Sequence, residues 1–246
     1  MKVQRCTAVV VGIFLVFALV GIADAAIFTG SSGNLAASVE FIKTNSNLTV
    51  KLANTSTADT TVPSEVLTAV FFQLSGSPTL TPVSAIIAPG SSVIHGSQPA
   101  GGIVGSEWEY RNFPAFPGGG ISGISSTGLG IFGGSGNFPG PDLEPQVPLG
   151  PMNYGLVSMG DNPATGNPQL TGNRPFVKYQ VDYVLSGLPG GFDPETDISK
   201  IYFQYGTELN LIRSRTTPPI PEPATVLGIT MGLAAIGGYV KKRFAD

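Results

Sequence analysis

Glycine and proline are spread so densely through this chain that long helices are excluded from most of it. The 246 residues include 33 glycines and 21 prolines, and both residue types weaken helix interiors. They are most concentrated between residues 114 and 151, where a strand must be short or lie at a sheet edge. A hydrophobic content of 42% still permits a buried core. The composition therefore favours an all-β fold.

Several segments alternate between apolar and polar residues, which is typical of strands with one buried face. Residues 39–43 and 48–52 do so on either side of a polar turn, and predict a β-hairpin. Residues 66–74 are almost continuously apolar and predict a central strand buried on both faces. Residues 177–185 alternate most clearly and predict a strand, and residues 201–205 predict the last one. Strands separated by turn residues in this way indicate a β-sandwich.

The N-terminus has the features of a secretion signal. Lys2 and Arg5 precede an apolar run over residues 9–22, which is short for a membrane-spanning helix. Ala23 and Ala25 then give the small-x-small pattern at which signal peptidase cleaves. We expect a signal helix within residues 1–25 that is removed, with an uncleaved anchor as the alternative.

The C-terminus has the features of a membrane-inserted tail. A polar linker over residues 213–220 leads to Pro221, Glu222 and Pro223, and residues 224–240 then carry no charge. This stretch is at the lower length limit for a transmembrane helix. The next three residues are basic and would stay on the cytoplasmic side, so the domain over residues 26–212 would be exported. These basic residues are Lys241, Lys242 and Arg243.

The ordered combination of Pro-Glu-Pro, apolar span and basic end resembles the PEP-CTERM sorting signal. That resemblance implies an exosortase as a processing partner, transient insertion into the inner membrane of a Gram-negative-type bacterium, and a cell that makes an exopolysaccharide or biofilm matrix. Interior motifs also resemble a family of exosortase-dependent surface proteins, although the family carries no known chemistry. They are Trp108-Glu-Tyr-Arg111, Gly123-Ile-Ser-Ser126, Tyr154-Gly155, Leu185-Ser-Gly-Leu188 and Phe203-Gln-Tyr-Gly-Thr207.

Charge and cysteine content narrow the classes of partner. Residues 26–220 contain 8 Lys or Arg and 13 Asp or Glu, and an acidic domain without a basic stripe is a poor nucleic-acid binder. The sole cysteine, Cys6, lies in the predicted signal. We therefore expect no nucleic-acid partner and no cofactor, and an exported domain without a disulfide or a thiolate metal site.

The residues that could support catalysis are few. His95 is the only histidine, so any Ser-His-Asp site would have to use it. Glu107 and Glu109 would share one face if they lay on a strand, with Trp108 on the opposite face. Glycoside hydrolysis uses such a pair of carboxylates, but an exposed strand face over a core residue is the favoured interpretation of these three residues. The sequence also lacks a nucleophile elbow and a phosphate-binding loop. We expect a protein that is not an enzyme.

Three carboxylates alternate just before the last predicted strand, at Asp193, Glu195 and Asp197. Such spacing can surround Ca²⁺, which prefers oxygen ligands. The segment lacks the glycine and the distal glutamate of an EF-hand loop, and an acidic turn is the favoured interpretation.

Two functional classes remain. The leading hypothesis is a structural or interaction component of the bacterial cell surface or of an exopolysaccharide matrix. The alternative is an extracellular carbohydrate-binding module, with exopolysaccharide as a candidate partner, because aromatic side chains form the platforms on which sugars stack. The aromatic candidates are Trp108, Tyr110, Phe113, Phe116 and Tyr202.

Overall fold

The structure is a computed structural model that describes residues 24–113, 120–127, 138–139, 152–172, 174–207 and 211–213. Among these residues, one sheet has five strands in the order β1–β2–β3–β11–β5, and every neighbouring pair is antiparallel. We call it sheet A. Its strands are β1 (Asp24–Ser32), β2 (Leu35–Thr44), β3 (Asn47–Asn54), β11 (Gln180–Ser186) and β5 (Thr81–Ile87).

The described residues form a second sheet of eight strands, sheet B. Six strands lie in one path: β13 (Leu211–Arg213), β12 (Ile198–Tyr205), β4 (Leu67–Leu74), β9 (Leu156–Val157), β10 (Phe176–Lys178) and β6 (Ser92–Ile94). Off this path, β8 (Ile121–Ser125) pairs with β4, and β7 (Glu109–Phe113) pairs with β8. The helical elements are short: α1 (Pro168–Thr171), α2 (Pro194–Asp197) and 3₁₀ turns at Pro63–Glu65, Ala100–Gly102 and Gly105–Glu107.

The two sheets share one apolar core, so the fold is all-β and sandwich-like, as the sequence predicted. Phe41 on β2 contacts Phe72 on β4 across the sheets, with ring centroids 5.0 Å apart and the rings edge-on. Trp108, which immediately precedes β7, also packs edge-on against Tyr183 on β11, at a centroid distance of 5.0 Å. Burial of such large apolar side chains is the main source of folding free energy.

The hairpin and the central strand predicted from the sequence are confirmed. β2 and β3 pair in continuous register from Ala37–Asn54 to Thr44–Asn47. Asn45 enables the two-residue connection because it adopts a positive φ of 57°, which asparagine tolerates better than most residues. β4 is buried along nearly its whole length, because β12 and β8 flank it and Phe72 faces sheet A.

The prediction of one continuous strand over residues 177–185 is wrong. Phe176–Lys178 forms β10 in sheet B, whereas Gln180–Ser186 forms β11 in sheet A. Tyr179 separates them with a φ of 93°, a backbone conformation that a non-glycine residue rarely adopts. The chain crosses between the sheets at this residue, and the apolar alternation continues through it because the core lies between both sheets.

Candidate functional site

The three candidate calcium ligands lie at α2, where two of them make local contacts. The Asp193 carboxylate accepts a hydrogen bond from the Glu195 backbone N–H at 2.9 Å, as a helix N-cap does. The Asp197 carboxylate accepts the Asp193 N–H at 2.9 Å, and Glu195 is exposed. Among the described residues, no group of three His, Cys, Asp or Glu side chains could hold a metal ion. The segment is a short acidic helical turn before β12.

Glu107 and Glu109 do not share a strand face. Glu107 ends a 3₁₀ turn, Glu109 begins β7, and both are buried. Burial raises the pKa of the Glu109 carboxyl, and the neighbouring Arg111 guanidinium opposes that rise. Alternation cannot predict this arrangement because the 3₁₀ turn changes the direction in which successive side chains point.

The aromatic candidates are largely part of the packing. Trp108 is fully buried and Tyr110 is 4% exposed, so neither offers a platform to a sugar. Phe113 and Tyr202 are half-buried and pack on the small cluster of Ala69, Phe71 and Ile121. Phe116 lies outside the described residues.

Most of the predicted sorting residues also lie outside the described residues. This holds for Ala23 and for Pro221, Glu222, Pro223, Lys241, Lys242 and Arg243. Ala25 lies in β1, opposite Ile42 on β2. Within the part of the chain that the structure describes, no helix combines the length and the apolar character needed to cross a membrane.

Polar side chains join two loops that are far apart in sequence, residues 55–62 and 158–167, which we call the loop junction. The Asp59 carboxylate accepts hydrogen bonds from the Asn162 N–H at 2.9 Å and from the Thr165 hydroxyl. The Thr60 hydroxyl accepts the Ser158 N–H at 3.0 Å. The Thr60 N–H in turn donates to the Asp161 carboxylate at 3.2 Å.

The fold shifts the pKa values of the two aspartates in the loop junction, Asp59 and Asp161, in opposite directions. The Thr165 hydroxyl and the Asn162 N–H lower the pKa of the Asp59 carboxyl by stabilising its charge. Burial raises the pKa of the Asp161 carboxyl, and the nearby Asp59 charge adds to that rise. Catalytic pairs of carboxylates also have pKa values that differ in this way. The cavity beside Asp59, however, has a volume of about 10 Å³, which is enough for about one water. These carboxylates therefore serve to cross-link the loops.

A larger cleft lies where the 3₁₀ turn Pro63–Glu65, the start of α1 and the end of β12 meet. Its volume is about 380 Å³, which is within the range of small-molecule sites. Its lining is mostly polar, and none of the described side chains that line it is charged. These residues are Val62, Pro63, Ser64, Asn167, Gln169, Tyr205, Gly206 and Thr207.

Two residues fix the shape of this cleft. Gly206 has a φ of 69°, and a Cβ there would lie 3.0 Å from Ser64 Cα, so only glycine allows β12 to end this close to the turn. Asn167 caps α1, since its side-chain oxygen accepts the Gln169 and Leu170 N–H groups at 3.1 and 3.3 Å. The cap holds the start of α1 against the Thr61 carbonyl, which accepts the Asn167 N–H at 2.9 Å.

The cleft is chemically suited to a neutral, hydroxyl-rich ligand. Ser64, Gln169 and Thr207 are exposed and present hydroxyl and amide groups that both donate and accept hydrogen bonds. The buried Tyr205 ring forms one wall. Sequence reasoning missed this site because its residues come from three segments, near 63, 168 and 206, that no local pattern connects.

No family model, curated protein or solved structure matches this chain.

Proposed function

We propose that this chain is an exported, non-catalytic structural or interaction protein of the bacterial cell surface or exopolysaccharide matrix. In this proposal signal peptidase removes a signal helix after Ala25. A transmembrane helix over residues 224–240 then inserts into the inner membrane until an exosortase processes the tail near Pro221, Glu222 and Pro223.

One observation carries the proposal: the described strands occupy the interval between the two predicted sorting segments. β1 begins at Asp24 and so includes the last two residues of the predicted signal, and β13 ends at Arg213, the first residue of the predicted linker. The two strands also contact each other. Both sorting segments would therefore adjoin one edge of the sandwich, which supports an arrangement in which a single folded unit is processed at both ends.

The decisive experiment combines localisation with intact-mass analysis of surface-extracted protein. We expect a species that starts at Ala26 and lacks residues 224–246. Replacing Lys241, Lys242 and Arg243 with glutamine should reduce processing, because these charges fix the orientation of the tail. The matched control is Lys200→Gln, which removes an exposed charge from the sandwich and should leave processing unchanged. A mature species that retains residues 224–246 would show a permanent anchor and contradict the sorting proposal.

The neutral polar cleft favours carbohydrate binding as a second candidate function. Sugar hydroxyls pair well with amide and hydroxyl side chains, which can donate and accept at the same time. Gln169→Ala should weaken saturable binding of the host's exopolysaccharide, measured by calorimetry. Gln98→Ala is the matched control, since Gln98 is also exposed but lies outside the cleft. Equal binding by both variants would exclude the cleft as the sugar site.

A further inference from the structure

The described strands that end the two sheets differ in how well their edges are protected. In sheet B the end strands β6 and β13 are only three residues long, and β7, which pairs only with β8, has five residues and carries the charges of Glu109 and Arg111. In sheet A, β5 contains Pro82, and its Ile86 forms a bridge to Ile103. Short strands, prolines and covering segments are the usual means of preventing edge-to-edge pairing.

β1, the other end strand of sheet A, is longer than these strands and contains no proline; α2, β12 and β13 contact it, but none of them pairs with its outer side. It is nine residues long and pairs with β2 in continuous register from Asp24–Lys43 to Ser32–Leu35. Its only charge is at Asp24, its first residue. Among the described residues no strand pairs with its outer side, and Ile27 is 40% exposed. Such an edge is a template for another extended chain.

We propose that β1 pairs antiparallel with β1 of a second copy of this chain, which joins two A sheets into one continuous sheet of ten strands. Phe28 is the central residue of β1 (Asp24–Ser32), and a two-fold axis beside it pairs Ala26 to Gly30 of one copy with Gly30 to Ala26 of the other. The mature chain proposed above, which starts at Ala26, keeps all five of these residues. In this register Ile27 lies opposite Thr29 of the second copy, and both side chains are on the exposed face.

The sequence of β1 is complementary to itself in this register, which favours a second copy over an unrelated peptide. On the exposed face, Ile27 meets a threonine, a β-branched pair that suits a sheet. On the buried face, the two Phe28 rings become neighbours. Each Phe28 already packs edge-on against Phe41 at 5.9 Å, so an aromatic row would continue across the interface. Ala26 would face Gly30 on the same side, and two small residues there create no clash.

This inference extends the proposed structural role, because a self-pairing edge gives a matrix protein a means of assembly. Its test is a molar mass in solution and does not depend on export, so either proposal can fail alone. The full chain in detergent should show a concentration-dependent dimer by sedimentation equilibrium. The I27K/T29K variant places lysines opposite lysines and should shift the mass to that of a monomer. Ile86→Lys is the matched control, since Ile86 is also an isoleucine, 40% exposed, on the opposite end strand, and it should remain dimeric.

A second measurement tests the register itself. In a Cys6→Ser background, mixing Ile27→Cys chains with Thr29→Cys chains should give more disulfide-linked dimer than either chain alone, because the two positions are opposite each other only in the proposed pairing. A wild-type chain that stays monomeric, a dimer that survives I27K/T29K, or equal cross-linking in the mixture and the separate chains would overturn the proposal. The second of these results would assign the dimer to another surface, such as the apolar tail.

Discussion

The hairpin region, residues 24–54, and the loop junction are stabilised by different interactions. In the hairpin region β1, β2 and β3 follow one another along the chain, and each pairs with the next in unbroken register. Apolar side chains at alternate positions face the core. In the loop junction the contacts join residues about a hundred positions apart, and they are hydrogen bonds between polar groups such as Thr60 and Asp161.

Because of this difference, the two regions depend on different properties of their residues. The hairpin region needs only the correct alternation and a turn residue, because burial is non-directional and depends on area. The loop junction needs particular donors and acceptors at particular positions, since a buried polar group without a partner costs about 1–3 kcal/mol. In the hairpin region, the mutations that remove the most buried volume should therefore lower the free energy of unfolding the most. In the loop junction, the loss should depend on whether the new residue keeps the hydrogen-bond donor or acceptor.

The largest effect is expected for Phe41→Ala in the hairpin region. Phe41 is fully buried and contacts Phe28 and Phe72 at centroid distances of 5.9 and 5.0 Å. Loss of a buried phenylalanine costs about 3–5 kcal/mol, and we expect that decrease in the free energy of unfolding measured with urea. Ile42→Ala, one residue along and half-buried on the other face, should cost much less. Similar losses for both variants would contradict the assignment of faces.

The next largest effect is expected for Asn54→Ala, at the boundary between the two regions. Asn54 is 1% exposed. Its amide N–H donates to the Leu156 carbonyl at 3.0 Å, and its oxygen accepts the Ser56 N–H at 3.3 Å. Alanine would leave both backbone groups without these partners, so we expect a loss of about 1–3 kcal/mol in urea unfolding. The control is Asn47→Ala on the same strand, where the residue is half-buried. If Asn54→Ala cost no more than its control, the polar contacts would not stabilise the boundary.

The same division decides how much of the fold the sequence could predict. The hairpin over residues 39–52 and the apolar strand at Leu67–Leu74 were predicted because neighbouring residues alone encode them. The continuous strand over residues 177–185 was predicted wrongly, since alternation reports which side chains are buried and not which sheet buries them. The positive φ at Tyr179 could not be predicted from the neighbouring residues, because tyrosine is a strong strand former.

The candidate site was still less accessible to sequence reasoning. Glycine at position 206 could have indicated a turn, but its close approach to Ser64 depends on how β12 meets a turn about 140 residues earlier in the chain. The sequence could not decide whether the Trp108 side chain is buried or exposed, because an aromatic residue between two glutamates is compatible with both. Loop contacts of this kind are fixed by tertiary packing and only then by residue type.

A smaller effect is expected for the cap that shapes the cleft. Asn167→Ala removes the acceptor for the Gln169 and Leu170 N–H groups, and the loss of an N-cap costs about 1 kcal/mol. The control is Gln169→Ala, which changes an exposed cleft residue without removing the cap, and should leave stability within about 0.5 kcal/mol. Thermal unfolding of the two variants measures the difference. Equal melting temperatures would show that α1 does not depend on its cap.

The smallest expected effect is a change in the pH dependence of stability on Asp161→Asn. Burial raises the pKa of the Asp161 carboxyl in the folded state, so the folded chain binds this proton more tightly than the unfolded chain does. The stabilising contribution is therefore complete below the ordinary aspartate pKa and is lost as the pH rises through the raised value.

Asparagine keeps an oxygen that can accept the Thr60 N–H and has no charge to bury. As the pH rises from about 4 to 7, we expect the melting temperature of the variant to fall less steeply than that of the wild type. At any one pH, the difference between their melting temperatures should be smaller than the difference caused by Asn167→Ala. Glu195→Gln controls for the loss of an exposed charge. If the variant and the wild type had parallel profiles, the Asp161 charge would not be buried, and hydrogen bonds alone would account for the stability of the loop junction.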